Sequence, residues 1–394
     1  MVRAHRELRV IRQGIRAFVE GPLPRLPPKR KVRPRFWKAK PLLEADLLAG
    51  RDVQKQFFPL ETGADGKKLT TGSLEDSNTQ IFGYYEARGV SGDYFDYKKL
   101  DDRWFGIIKC DVSGKGIPAA LISVEVATLF LDYFDRWTYQ THGVNLSPLV
   151  SRINDLIESH GFNSRFAAFT LCLFDSLEGK LYFCNAGDSA IHVYDYGAGK
   201  TKTFAVPAAP AAGVFPNEII TSQGGFPVST LRLAAGDVLF LYTDGIEDSR
   251  RRVRNRLFRA GLELEDFGVG RIMAVITAVF SRSSYFLQKQ QNPVADEILE
   301  FDFSRCSGSA EDAILALSAV EKIFRIYKPP LTTAFDKVRV DRKTDAFLKL
   351  HFKQYSDYCV WQEDCPETPE YLNYTNVKSD PQFDDMALVA VKKK

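Results

Sequence analysis

Asp93 and Asp111 are the residues whose surroundings most invite chemistry. The first stands in Val90-Ser91-Gly92-Asp93-Tyr94-Phe95-Asp96 and the second in Cys110-Asp111-Val112-Ser113-Gly114-Lys115-Gly116-Ile117-Pro118. Each adjoins a short apolar run and a glycine, the arrangement by which a sheet delivers acids to a shared edge. An ionised carboxylate at the end of a buried strand is costly unless it is hydrogen-bonded or coordinates a cation, so a pair of them points to metal before packing. Two further candidates are Asp244 in Leu241-Tyr242-Thr243-Asp244-Gly245 and Asp384 in Phe383-Asp384-Asp385-Met386. Singly, each has a plain structural explanation: a loop acid, a turn acceptor, a hairpin turn, a solvated pair. Together, four acids at strand ends predict a dinuclear site, and all-oxygen ligands suit Mn²⁺ or Mg²⁺ rather than Zn²⁺. Ser113-Gly114-Lys115-Gly116 is not a nucleotide-binding loop: Lys109 and Gly116 stand where a Walker sequence needs glycine and Ser or Thr.

The elements that must position these acids are legible in outline. With 394 residues and 45% hydrophobic content, the chain can bury a large core. No run of about 18 apolar residues and no secretory leader is evident, so a cytoplasmic protein is expected. The six cysteines are scattered without metal-ligand spacing and read as reduced and buried. Residues 1–40 hold 13 Lys and Arg against two Glu, leaving 40 against 48 in the remainder. That basic, proline-rich arm, with a short amphipathic helix at 3–19, is expected to be a solvated tether that docks on the acidic body or contacts an anionic surface. The acidic body argues against nucleic acid as a partner.

A helix is expected over 41–59, leading into a body at 60–394. Strands are expected at 81–87, 104–110, 166–174, 181–185, 190–194, 229–233, 238–242 and 386–391, with 166–194 forming an antiparallel meander. Helices are expected at 118–137, 147–160, 266–280, 310–327, where Ser309 and Asp312 suggest a capping box, and about 341–355.

These motifs, in this order, resemble the SpoIIE/RsbU-like bacterial branch of the metal-dependent protein phosphatases (PPM, 2C-type). The resemblance rests on Asp52-Val53-Gln54-Lys55-Gln56-Phe57-Phe58-Pro59, the four acid motifs and Asn185-Ala186-Gly187, and covers about 52–250 and 380–391. It implies a four-layer αββα sandwich of two antiparallel sheets. It also implies a site in which Asp111 bridges two Mn²⁺ or Mg²⁺ ions, Asp93 and the Val112 carbonyl complete one, and Asp244 and Asp384 hold the other; whether Asp384 or Asp385 is the ligand, and whether Asp96 assists Asp93, stays open. Water activated between ions about 3.5–4 Å apart would attack a phosphoserine or phosphothreonine monoester. The implied substrate is a STAS-domain anti-sigma-factor antagonist in a partner-switching pathway. The 41–59 helix resembles the element through which a homodimer or an upstream sensor controls the site.

Three departures stand out: Asp188 where relatives carry His, Ala387 where Thr is usual, and a long segment between Asp244 and Asp384. The last implies a mainly helical insertion at about 284–370 that caps the site or serves a partner. The alternative reading is a catalytically silent module of the same fold that binds and regulates a signalling partner.

Overall fold

A computed structural model describes residues 39–394 apart from 88, 189, 253–263, 291–295, 329–336 and 367. The chain divides into two units, 1–45 and 46–394. The arm expected over 1–40 lies outside the described residues but for its last two, and every described strand belongs to the second unit.

Eleven strands build the two main sheets: β1 (Thr71–Glu75), β2 (Thr79–Glu86), β3 (Tyr94–Lys99), β4 (Trp104–Val112), β5 (Ala167–Asp175), β6 (Lys180–Ala186), β7 (Ala190–Asp195), β8 (Lys200–Ala205), β9 (Val228–Arg232), β10 (Val238–Tyr242) and β11 (Met386–Lys393). One sheet runs β1-β2-β11-β10-β7-β8 and the other β3-β4-β5-β6-β9, every pairing antiparallel.

The continuous apolar character of β10 and β11 has a simple cause: both faces of their sheet are covered. Leu239, Leu241, Ala387, Val389 and Val391 join the core between the sheets. Their alternates Val238, Phe240, Met386, Leu388 and Ala390 join a second core on the far side. The period of two that normally separates wet from dry here separates two dry layers.

Helices complete the sandwich. α1 (Ala39–Gln54) precedes the body. α2 (Ile117–Asp135), with Pro118 in its first turn, and α3 (Ser147–His160), stopped by Gly161 at φ 64°, pack on the five-stranded sheet. α2 is the one described helix long and apolar enough to cross a membrane, but Ile122, Val126, Phe130 and Phe134 along it are buried in the core. α4 (Gly268–Phe280) and α5 (Ala310–Arg325) cover the six-stranded sheet. Ser309 and Asp312 form the expected capping box at the start of α5. The αββα sandwich is therefore present. All six cysteines are free and buried.

Strands β1, β3 and β8 were not expected, and the structure differs from expectation in two further places. The meander over 166–194 is not one sheet: β5 pairs with β6, but β7 crosses to the other sheet and pairs with β8 and β10. Segment 284–370 contains α5 and α6 (Arg342–His351), and also a hairpin of Ser284–Gln290 with Asp296–Asp302. Its strand Val338–Asp341 enters a three-stranded sheet with Tyr371–Tyr374 and Gln362–Asp364. α5 is thus an outer layer of the sandwich rather than a cap over the site.

Candidate metal centre

The two sheets end together at one edge, and that edge is acidic. The last pair of β3 with β4 is Tyr94 opposite Cys110, so one further step sets Asp93 opposite Asp111, where side chains share a face. Gly92 permits the approach: a Cβ there would come within 2.7 Å of the Val112 carbonyl oxygen. In the other sheet, Tyr242 pairs with Leu388. β10 runs through Thr243 into a single helical turn at Asp244–Glu247, while Asp384 and Asp385 lead into β11.

Thr243 joins the two sheets. Its hydroxyl donates to Asp93 Oδ2 at 2.7 Å and accepts the Ala387 backbone N–H at 3.0 Å. Ala387, where Thr is usual, therefore contributes here through its backbone. On the other side, Ser91 Oγ accepts the Asp93 backbone N–H at 3.0 Å. Gln54, in the last turn of α1, brackets Ser91: its Oε1 accepts the Ser91 N–H at 3.0 Å, and its Nε2 donates to the Ser91 carbonyl at 2.6 Å and to Ser123 Oγ at 3.1 Å. A direct chain of bonds thus runs from α1 to Asp93. Replacing Gln54 by Leu is expected to weaken Mn²⁺ binding about 10- to 100-fold, the usual loss when an outer-shell support is removed, with thermal unfolding still cooperative. Isothermal titration calorimetry would check this, and unchanged affinity would exclude the chain of bonds from control of the site.

The acids repel one another. Burial first, and then the Asp111 charge, push the Asp93 carboxyl well above the ordinary carboxylate range, while the Thr243 hydrogen bond opposes the rise. Asp111 is pushed up to about 7 by burial and by Asp244, with Lys109 opposing and Asp384 adding to the rise. Asp244, the most exposed of the set, is raised by desolvation, Asp384 and Asp248. Asp384 is held by Lys115, whose Nζ lies 2.8 Å from Oδ2 and donates to the Phe383 carbonyl at 2.5 Å. Among the described residues, no three acid, His or Cys side chains are grouped tightly enough to hold an ion as they stand. The donor set itself fits hard divalent cations, being oxygen throughout and like-charged.

Asp96 plays no part in this. It lies on the alternate face of β3, accepting Tyr94 Oη–H at 2.7 Å and the Tyr97 N–H at 2.7 Å. Burial pushes it up to about 7. Because that value exceeds the unfolded one, its stabilising contribution is complete below about pH 4 and is lost as pH rises through 7. In EDTA, the wild-type unfolding midpoint should fall between about pH 5 and 7, and Asp96→Asn should flatten part of that slope. A slope unchanged in the variant would refute the assignment.

A cavity of about 400 Å³ opens beside Asp111 and Asp244, with Lys109, Asp188, His192 and Glu247 also in its wall. Lys109 Nζ lies 2.7 Å from Asp188 Oδ1, and Thr170 donates to Oδ2 of the same carboxylate. Asp188, where relatives carry His, thus anchors a buried cation. Thr243, Gln54 and Lys109 were not singled out from the sequence as site residues. Thr243 sat inside the Leu-Tyr-Thr-Asp-Gly motif, but its reach across the sandwich has no local signature.

Known proteins resemble the chain in part of its sequence and in its fold. The SpoIIE family (stage II sporulation protein E) matches residues 101–281. Protein IcfG of Synechocystis sp. is 28% identical over 266 residues, covering 61% of this chain and 37% of IcfG. Phosphoserine phosphatase RsbP of Bacillus subtilis is 27% identical over 188 residues, covering 46% of this chain and 43% of RsbP. The chain thus spans less than half the length of these curated relatives. Among solved structures, the SiaA-PP2C domain of Pseudomonas aeruginosa aligns over 90% of this chain and 99% of its own, with TM-score 0.49 and 14% identity. RsbX in complex with magnesium aligns over 82% and 100%, with TM-score 0.42 and 12% identity. Residues 101–281 thus match the SpoIIE family, and the chain is similar over part of its length to IcfG and to the phosphoserine phosphatase RsbP.

Proposed function

We propose that the chain is a Mn²⁺- or Mg²⁺-dependent protein phosphatase that hydrolyses phosphoserine or phosphothreonine monoesters, with a STAS-domain protein of a cytoplasmic partner-switching pathway as its substrate. The observation that carries this reading is the set of mutually repelling acids at the sandwich edge, with Asp93 in register with Asp111 and Asp244 and Asp384 raising the neighbouring carboxyls. Asp111 would be shared between two ions, Asp93 and the Val112 carbonyl would serve one, and Asp244 and Asp384 the other. When bound, the ions would neutralise phosphoryl oxygens and acidify a water for attack.

The chain's own residues do the rest. Thr243 fixes the rotamer of Asp93, and Lys115 holds the segment that carries Asp384. The cavity beside Asp111 and Asp244 has room for a phosphorylated side chain. Lys109 is the one lysine or arginine among its described lining residues, so it offsets acid charge where a phosphate dianion would enter. RsbP, a relative named as a phosphoserine phosphatase, supports the choice of ester. The bond chain from α1 through Gln54 supports control of the site by a sensor or a second copy acting on that helix.

The test is phosphate release from a phosphoserine STAS domain, with p-nitrophenyl phosphate alongside. Turnover in Mn²⁺ that EDTA abolishes is expected. Folded protein that neither binds Mn²⁺ nor releases phosphate from either substrate would favour the silent binding module, and Mn²⁺ binding without turnover would mean a site held switched off until a partner acts on α1 or on segment 284–370.

A further inference from the structure

A second cleft, of about 350 Å³, lies at the junction of segment 284–370 with the end of β2. Glu86 from β2, Lys322 and Arg325 from the last turns of α5, Lys337 and Arg339 from the start of the 338–341 strand, and residues 379–382 enclose it.

Its carboxylates are already engaged. Glu86 Oε1 lies 2.7 Å from Lys322 Nζ, and its Oε2 accepts Tyr84 Oη–H at 2.8 Å. Asp380 Oδ2 accepts the Arg252 N–H at 3.0 Å. Arg325 is paired with Glu321 and donates to the Asp380 carbonyl at 3.2 Å.

The cations at the mouth are less committed. Lys337 meets Glu363 at 2.7 Å, but the two side chains are 66% and 53% exposed, and such a pair contributes little. Arg339 lies with its guanidinium 4.4 Å from the Tyr371 ring centre. No ion pair holds it among the described residues. A guanidinium stacked on an aromatic face keeps its N–H fork in a fixed plane, ready for an oxyanion.

We propose that this cleft binds a small phosphorylated metabolite, with its phosphate dianion on Arg339 and Lys337 and its body within the cleft. The size suits a metabolite, and charge-assisted bonds from a planar fork suit phosphate over a monoanion. The cleft also adjoins the candidate metal centre in sequence. Gln382 Nε2 donates to the Glu86 carbonyl at 3.3 Å, and the next two residues are the Phe383 and Asp384 that Lys115 holds. An occupant that orders 379–382 therefore restricts the approach of Asp384 to Asp111 and Asp244. This coupling rests on the metal-site reading; the binding itself does not.

The experiment is calorimetric titration of the EDTA-treated 394-residue chain with inorganic phosphate. Without metal, the acid edge repels phosphate, so binding reports the cleft. Saturable binding is expected, weakened about tenfold or more in the Lys337→Ala/Arg339→Ala double variant, unchanged in Asp111→Asn, and tightened in Glu363→Gln, which frees Lys337. Hydrogen exchange of the 379–386 amides should slow with phosphate in the wild type. No binding, or binding that survives the double variant, would overturn the site. Binding without slowed exchange would overturn its coupling to Asp384. Failure of the phosphatase reading would leave the metal-free titration unaffected.

Discussion

Asp111→Asn is expected to abolish metal-dependent turnover, by on the order of 10³-fold or more, while making the metal-free protein more stable. Both effects come from one charge. Asp111 stands opposite Asp93 and is pushed up to about 7 by burial and Asp244. At pH 8 in EDTA, its ionised form is therefore held in the folded state against repulsion, and asparagine removes the charge at nearly constant volume. Each 1 kcal/mol relieved should raise the unfolding midpoint by roughly 2–4 °C. Added Mn²⁺ should reverse the order, stabilising the wild type strongly and the variant weakly, because only ligand that binds the native state contributes. A metal-free variant that melts below the wild type would mean that the edge is not a repulsive cluster, and the case for metal would lose its physical basis.

Gly245→Ala is expected to damage both fold and site without touching a carboxylate. A Cβ at this position would fall 1.8 Å from the Asp385 carbonyl oxygen, 2.8 Å from its carbon and 3.3 Å from Met386 Cγ. The first two belong to backbone, which no rotamer change can move aside. The helical turn at Asp244–Glu247 and the entry to β11 must separate, carrying Asp244 away from Asp384. Destabilisation of about 3 kcal/mol is expected, at the upper end for overpacking, together with loss of Mn²⁺ affinity. Gly270→Ala is the control: it lies within α4 with nothing inside 4 Å of its Cβ, and alanine there should gain about 0.5–1 kcal/mol. Urea unfolding of the two variants would decide the matter; similar midpoints would show that the 244–245 and 384–386 segments are not in tight contact.

How much could be read from the sequence depends on where each interaction is made. α3 could be read end to end because Pro148 and Gly161 mark its limits locally, and α5 because Ser309 and Asp312 close a capping box within four residues. The four acids were legible because strand ends, glycines and carboxylates sit side by side in the chain. β8, Lys-Thr-Lys-Thr-Phe-Ala, was missed because an edge strand half open to water alternates weakly and carries lysines. β7 was assigned to the wrong sheet because its partner was chosen by long-range pairing: Val193 and Tyr194 face Leu239 and Val238 of β10, and no turn near Gly187 encodes that preference. Thr243 bonds to a residue 150 positions away, a contact that exists only once both sheets are stacked.

A two-ion centre at the sandwich edge is tested most simply by calorimetric titration of Mn²⁺ into the EDTA-treated 394-residue chain, with Asp111→Asn in parallel. Two bound ions are expected in the wild type and loss of at least one in the variant, with protons released on binding at about pH 7 because Asp93 and Asp111 hold them in the metal-free state. Folded wild-type protein that binds no Mn²⁺ and no Mg²⁺, or that binds them equally well with Asn at 111, would contradict it.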